Sequence, residues 1–190
     1  MEIDSLNAAH ESPLHVASGH GNKELLELLL SHGAGLERRD REGRTPLLTA
    51  ASAGHSGVMK HLVTAGAETS AVDKEDRSGL YLAAENNHLR CVKTLLKTGV
   101  RAELLERNDR WDNTALHIAS IRGHLDIVTA LIEAGAQIDN KNEDEQTPLH
   151  VAAKHGKLKY REQTHFVKRM EIIEFQDPAI HPQPGSLLCQ

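Results

Sequence analysis

The sequence predicts an all-α solenoid: stacked helix–turn–helix units joined by projecting loops or short hairpins. Three observations carry the prediction. The decapeptide SPLHVASGHG at residues 12–21 returns almost unchanged as TPLHVAAKHG at 147–156, with weaker copies between them: TPLLTAASAG (45–54), SGLYLAAENN (78–87) and TALHIASIRG (114–123). Aligned on Pro13, Pro46, Gly79, Ala115 and Pro148, the copies stand 33, 33, 36 and 33 residues apart. A second marker, Gly33-Ala34, Gly66-Ala67, Gly99-Val100 and Gly135-Ala136, steps independently by 33, 33 and 36. Both rulers place a three-residue insertion between Gly99 and Thr114, in RAELLERND. A fixed period of this length marks a repeat array, whose units lack a core of their own until stacking supplies one.

Within each period the elements follow in order. Ser12, Thr45, Ser78, Thr114 and Thr147 are hydroxyl N-caps for a first helix. Pro13, Pro46 and Pro148 follow at the first helical position, where a missing N–H costs nothing. This helix is short and small-sided, as in Leu149, Val151, Ala152 and Ala153, and a neighbour can pack closely against it. It ends at Gly21, Gly54, Asn87, Gly123 and Gly156, residues that tolerate the left-handed C-cap. A second helix carries an apolar stripe, such as Leu89, Val92, Leu95 and Leu96, or Leu125, Val128, Leu131 and Ile132. The Gly-Ala pairs stop it. Charged, turn-rich segments then follow, among them ERRDREGR (37–44) and DNKNEDEQ (139–146).

With a 33-residue period and T-P-L-H-x-A in register, the chain resembles the ankyrin-repeat family over about residues 1–158. The resemblance implies an ankyrin domain over 1–160, with repeats near 7–39, 40–72, 73–108 and 109–141 and a partial one at 142–160. Departures sit in the middle repeats. Leu48 and Tyr81 replace the motif histidine, Gly79 and Ala115 its proline, and Asp76 and Asp112 its turn glycine. Both ends read as cut, since Met1–Asp4 align with Ala136–Asp139 and the fifth repeat departs from the pattern after Leu158. A fragment or alternative product of a longer array is the expectation. Residues 161–190 read as an atypical helix, with Phe166, Val167, Met170 and Ile173 on one face, and then a disordered, proline-containing tail.

Composition narrows the function classes. Aromatics are 3% of the chain and its formal charge is −5, which argues against a base-stacking platform or an all-round phosphate-binding surface. Nucleic acid is therefore not an expected partner. Cys91 and Cys189 stand far apart without a zinc-ligand or disulfide spacing, so a reducing, cytoplasmic setting is expected. No stretch approaches ~20 consecutive apolar residues, and membrane insertion by this segment is not expected.

Thirteen histidines invite a metal or catalytic reading, but no HExxH occurs and no cysteine joins a histidine at ligand spacing. His15, His117 and His150 instead resemble the family's structural histidine, bonding backbone groups between neighbouring loops. His55, His88 and His124 resemble its Gly-His turn. GHSG (54–57) lacks the last glycine of a nucleophile elbow, because Val58 stands there. Cys91 reads as a buried thiol. No metal site, cofactor or catalytic residue is expected.

Partner binding is the remaining chemistry. Trp111 is the only tryptophan and lies in ERNDRWDN, a wholly polar loop. It either folds back on Leu104 and Leu105 or stands exposed as an anchor for a partner. Loop charge is graded along the array. Arg38, Arg39 and Arg41 lie in a segment with four arginines against three acids, whereas Glu143 and Asp144 lie in one with a single lysine against four acids. Such a gradient, with Arg110 beside Trp111, could orient a partner and speed encounter. The family resemblance implies a non-catalytic protein–protein interaction module with a concave binding surface and protein partners, neighbouring repeats of a longer chain included. RWDNTALHIAS and DEQTPLHVAAKHGKLK also look somewhat like the cytosolic ankyrin region of transient receptor potential ankyrin-type channels, which would place the module on the cytosolic face of a membrane. The regulatory arm of an enzyme is the rival reading.

Overall fold

The computed structural model describes residues 3–97 and 102–155. In chain order the helices are α1 (Pro13–Gly19), α2 (Lys23–Ser31), α3 (Pro46–Ala53), α4 (Ser56–Thr64), α5 (Gly79–Glu85), α6 (Leu89–Lys97), α7 (Ala102–Leu105), α8 (Ala115–Arg122), α9 (Leu125–Glu133) and α10 (Pro148–His155). Among the described residues the only β pairing is two isolated antiparallel bridges, Val72 with Ser78 and Asn108 with Thr114, which make the expected hairpins minimal. Helices α1, α3, α5, α8 and α10 stack as one layer, and α2, α4, α6 and α9 stack as a second behind it. The predicted all-α repeat fold is the observed one. Short α7 occupies the three-residue insertion. The expected departure after Leu158, the atypical helix and tail of 161–190, and Cys189 lie outside the described residues.

The hydroxyl caps act as their position dictates. Ser12, Thr45, Ser78 and Thr114 accept from the backbone N–H of His15, Leu48, Tyr81 and His117. In two of these helices histidine completes a capping box: the Ser12 and Thr114 N–H groups donate to Nδ1 of His15 and His117, both at 3.2 Å. The far nitrogens reach the next repeat, with His15 Nε2 2.9 Å from the Arg44 carbonyl and His117 Nε2 3.0 Å from that of Gln146. A carbonyl can only accept, so Nε2 carries the proton and Nδ1 is the acceptor. Each ring is thus neutral, fully bonded and fully buried. Burial also lowers the pKa of His117 below its ordinary value.

The first helices end in the left-handed conformation at Gly21, Gly54, Asn87 and Gly123, with φ between 62° and 87°. At Gly21 and Gly54 the next repeat also disfavours any side chain. A Cβ at Gly54 would lie 2.6 Å from Nδ1 of His88, and one at Gly21 would lie 2.5 Å from Nδ1 of His55. Those rings lie flat on the turn because His55 Nε2 bonds the Gly19 carbonyl (3.0 Å) and His88 Nε2 that of Ser52 (3.1 Å). His124 makes the same bond to the Glu85 carbonyl at 3.2 Å, although Asn87 replaces glycine there.

The core lies between the layers. Leu14, Leu47 and Leu116, all within 1% of complete burial, occupy one register of the first helices. On the second helices the expected stripe lies on the core, and the buried face extends beyond it. Leu89 and Leu125 are only partly buried, whereas Cys91 and Ile127, two positions on, are fully buried beside Val92 and Val128. This register faces the preceding repeat. Val58 shares it and is 3% exposed, whereas Leu25, with no described repeat before it, is 37% exposed. The expected inward place of Cys91 is observed, and burial pushes its thiol up to about 11.

The middle repeats replace the motif histidine in two ways. Leu48 adopts no polar role and packs with Ala71 and Leu82 in a small separate cluster. Tyr81 keeps the cross-repeat link by donating its hydroxyl to Asp109 Oδ2 at 2.7 Å.

Candidate functional site

The loops between repeats share a geometry that comes from one side chain. Asn7, Asp40, Asp73, Asp109 and Asn142 each stand five residues before an N-cap. In each, Oδ1 accepts from the backbone N–H two and four residues on, at 2.8–3.1 Å. The residue three on takes a left-handed φ in every loop: His10 61°, Gly43 76°, Asp76 61°, Asp112 59° and Glu145 59°. Aspartate and glutamate fill a turn position that glycine would favour, because the carboxamide or carboxylate closes the turn around them. Sequence reasoning missed this ring of acceptors. Its signal was available: these five residues repeat at 33, 33, 36 and 33, a third ruler agreeing with the other two.

Backbone bonds then tie loop to loop. Lys74 N–H donates to the Glu42 carbonyl (2.9 Å), Arg110 N–H to that of Glu75 (3.1 Å) and Glu143 N–H to that of Trp111 (3.1 Å). The second to fifth loops therefore form a continuous ribbon along one edge of the first-helix layer. Two positions in each loop, one and two residues after the acceptor, point their side chains out of this scaffold: Arg41 and Glu42, Lys74 and Glu75, Arg110 and Trp111, Glu143 and Asp144. Glu75 is half-buried and the rest are exposed.

An ion network fills the middle of the surface. Arg77 contacts Asp73 at 2.8 Å and Glu75 at 2.6 Å. Glu75 also holds Arg110 at 3.3 Å, and Glu85 holds Arg122 at 2.9 Å. These charges link the third and fourth repeats and are already engaged within the molecule.

The structure sorts the sequence-predicted binding residues. Arg39 is committed to the fold: its guanidinium donates to the carbonyls of Gly43 (2.8 Å) and Val72 (2.6 Å). Arg38 pairs with Asp4 at 3.2 Å but remains 57% exposed. Arg41, Glu143 and Asp144 are exposed and carry no ionic partner among the described residues. Trp111 is 44% exposed and stands outside the core that contains Leu105, with the guanidinium carbon of Arg110 5.0 Å from the centre of its ring. The side chain is therefore exposed at its loop and not part of the core. Arg110, Trp111, Glu143 and Asp144 come together on adjoining loops, whereas Arg38, Arg39 and Arg41 stand at the other end of the ribbon.

Among the described residues no group of three or more His, Cys, Asp or Glu side chains could hold a metal ion. Nor is any described helix long and apolar enough to cross a membrane.

The relatives of this chain are matched over short segments. It is 50% identical over 44 residues to a probable E3 ubiquitin-protein ligase XBOS33 of Oryza sativa subsp. japonica, covering 23% of this chain and 8% of that protein. It is 41% identical over 51 residues to protein phosphatase 1 regulatory subunit 12A of Mus musculus, and equally to that of Rattus norvegicus, covering 27% of this chain and 5% of theirs. The chain thus spans less than a tenth of the length of these relatives, and none lends support to the channel parent that the sequence suggested. A family model described as ankyrin repeats matches three times, over residues 1–73, 57–142 and 80–163. Period, capping, stacking and these matches agree, and the chain belongs to the ankyrin-repeat family.

Proposed function

We propose that this chain is a non-catalytic protein-binding module that takes its partner on the loop ribbon and the adjoining first-helix layer. Ankyrin repeats are protein-interaction modules, and one observation points to the surface: Trp111, an aromatic side chain 44% exposed at the tip of a backbone-pinned loop. A rigid, half-exposed tryptophan is the kind of group that dominates interface energetics. Its loop needs no induced fit, since Asp109 and the Glu143 N–H already hold it.

A photoreactive benzoylphenylalanine placed at Trp111, Arg41 or Asp144, and in controls at Lys60 or Thr94 on the second helices, tests this in cells. Adducts with one protein are expected from the loop positions and not from the controls. Adducts confined to Lys60 and Thr94 would move the binding surface to the other face.

A second reading has its own support, since the relatives' names attach similar segments to a ubiquitin ligase and a phosphatase regulatory subunit. On that reading the module is the target-binding arm of a larger, enzyme-linked protein in the cytoplasm. The full-length transcript decides it: a catalytic or enzyme-docking domain in the same chain supports the arm, and six apolar spans would instead restore the channel.

A further inference from the structure

We propose that the partner presents a basic segment to the ribbon, with an arginine side chain stacked on Trp111 and its charge met by Glu143, Asp144 and Asp112. This rests on the reading that the loops bind protein and specifies the chemistry of what they bind.

The indole is already a cation receptor. Arg110 lies over it at 5.0 Å, which is the geometry of a cation–π contact. Yet Arg110 is shared, since Glu75 holds its guanidinium at 3.3 Å. The ring still leaves 44% of the residue open. An incoming guanidinium can take the open part of the ring, or displace Arg110 toward Glu75, without stranding a charge. An incoming carboxylate would instead approach a group of exposed acidic side chains. At the tips of the fourth and fifth loops Lys141 answers Glu145 at 2.8 Å, and Glu75 answers Arg110. The charged tip side chains left without an ionic partner among the described residues are Asp112, Glu143 and Asp144, all exposed and all acidic. The Glu143 N–H bond to the Trp111 carbonyl holds the backbone that carries Glu143 next to the backbone that carries the ring. Charge complementarity and the open ring therefore select the same ligand, a planar cation that stacks and donates hydrogen bonds at its edge. Guanidinium fits that description better than a compact ammonium.

The test uses the full chain and three blocked peptides: GSRGRSRGS, the same peptide with citrulline at each arginine, and the same with glutamate. Trp111 is the only tryptophan, so its emission and its indole N–H resonance report on the site directly. The arginine peptide should shift both signals and bind about tenfold more tightly than the citrulline peptide, with binding weakening as salt rises. The glutamate peptide should leave both signals unmoved. Glu143→Gln together with Asp144→Asn, two exposed changes that keep the backbone bond, should weaken the arginine peptide several-fold, whereas Lys60→Gln should not. Equal binding of citrulline and arginine peptides overturns the proposal. So does tighter binding of the glutamate peptide, or no response of Trp111 to millimolar arginine peptide. Its failure is distinguishable from failure of the binding function: loop cross-links to an acidic or apolar segment would end the basic-partner inference and leave the protein-binding surface standing.

Discussion

Gly54→Ala should be among the most damaging single-methyl changes in the chain, and the structure separates its cost into two parts. Gly54 has φ 87° and ψ 14°, and a left-handed L-residue costs roughly 1–2 kcal/mol. The added Cβ would also meet the His88 ring at 2.6–2.7 Å. That ring cannot yield without weakening its 3.1 Å bond to the Ser52 carbonyl, a loss of about 1 kcal/mol. Gly66 is the control. Its φ is 96°, but nothing lies within 4 Å of a Cβ there, so Gly66→Ala incurs only the backbone part. Urea unfolding followed by far-UV circular dichroism should show Gly54→Ala costing about 2–3 kcal/mol and Gly66→Ala about 1–2 kcal/mol. In a His88→Ala background the Gly54→Ala cost should fall to that of Gly66→Ala, a coupling readable from the double-mutant cycle. Equal costs for the two glycines, or strict additivity with His88→Ala, would refute the claim that the His88 ring dictates glycine at position 54.

Trp111→Ala should cost no more than about 1 kcal/mol of stability, because it removes an exposed ring and one cation–π contact. Red-shifted emission in the free protein is expected with it, and a blue-shifted indole would return Trp111 to the core. Tyr81→Phe should cost about 2 kcal/mol in urea unfolding, since Asp109 is 3% exposed and loses a 2.7 Å hydroxyl donor to its carboxylate. His117 should make the array acid-sensitive. Its folded pKa lies below 6.5 because burial disfavours the cation. The unfolded state therefore binds the proton first, and stability present above about pH 6.5 is lost as pH falls toward the folded pKa. The ring C–H resonances, followed by NMR, should give a midpoint below 6.5; a midpoint above it would contradict the buried neutral ring.

What could be read from the sequence was whatever a unit repeats within itself. Hydroxyl caps, prolines at the first helical position and left-handed C-caps are local devices, and five copies in register made each one plain. The second helices show the limit of that reading. A stripe drawn through Leu125, Val128 and Leu131 leaves out Ile127, which is as fully buried as Leu131, because a repeat in a stack has neighbours on two sides. Charge misled for a related reason. By sequence Arg39 forms part of a charge gradient that could orient a partner and the five loop acceptors go unread, yet all six bond backbone groups. For Arg39 one partner is the Val72 carbonyl, 33 positions away in the next repeat. A polar side chain and its backbone partner leave no pattern of hydrophobicity, so only their period could have betrayed them.

That division between fixed and free positions explains how one scaffold can carry a particular partner preference. In each loop the acceptor and the left-handed residue three on are bound by the closure of the turn, and substitution there must respect hydrogen bonding and φ. Apart from Glu75, which pairs with Arg77 and Arg110, the two positions between them contribute to the fold mainly through backbone N–H and C=O groups. Arg41, Lys74, Trp111 and Asp144 all sit at such positions. Side chains there can differ from repeat to repeat at little cost in stability, while the backbone bonds hold their spacing constant. The exposed tryptophan is therefore tolerated by the fold without being required by it, which is the property that the proposed partner anchor needs.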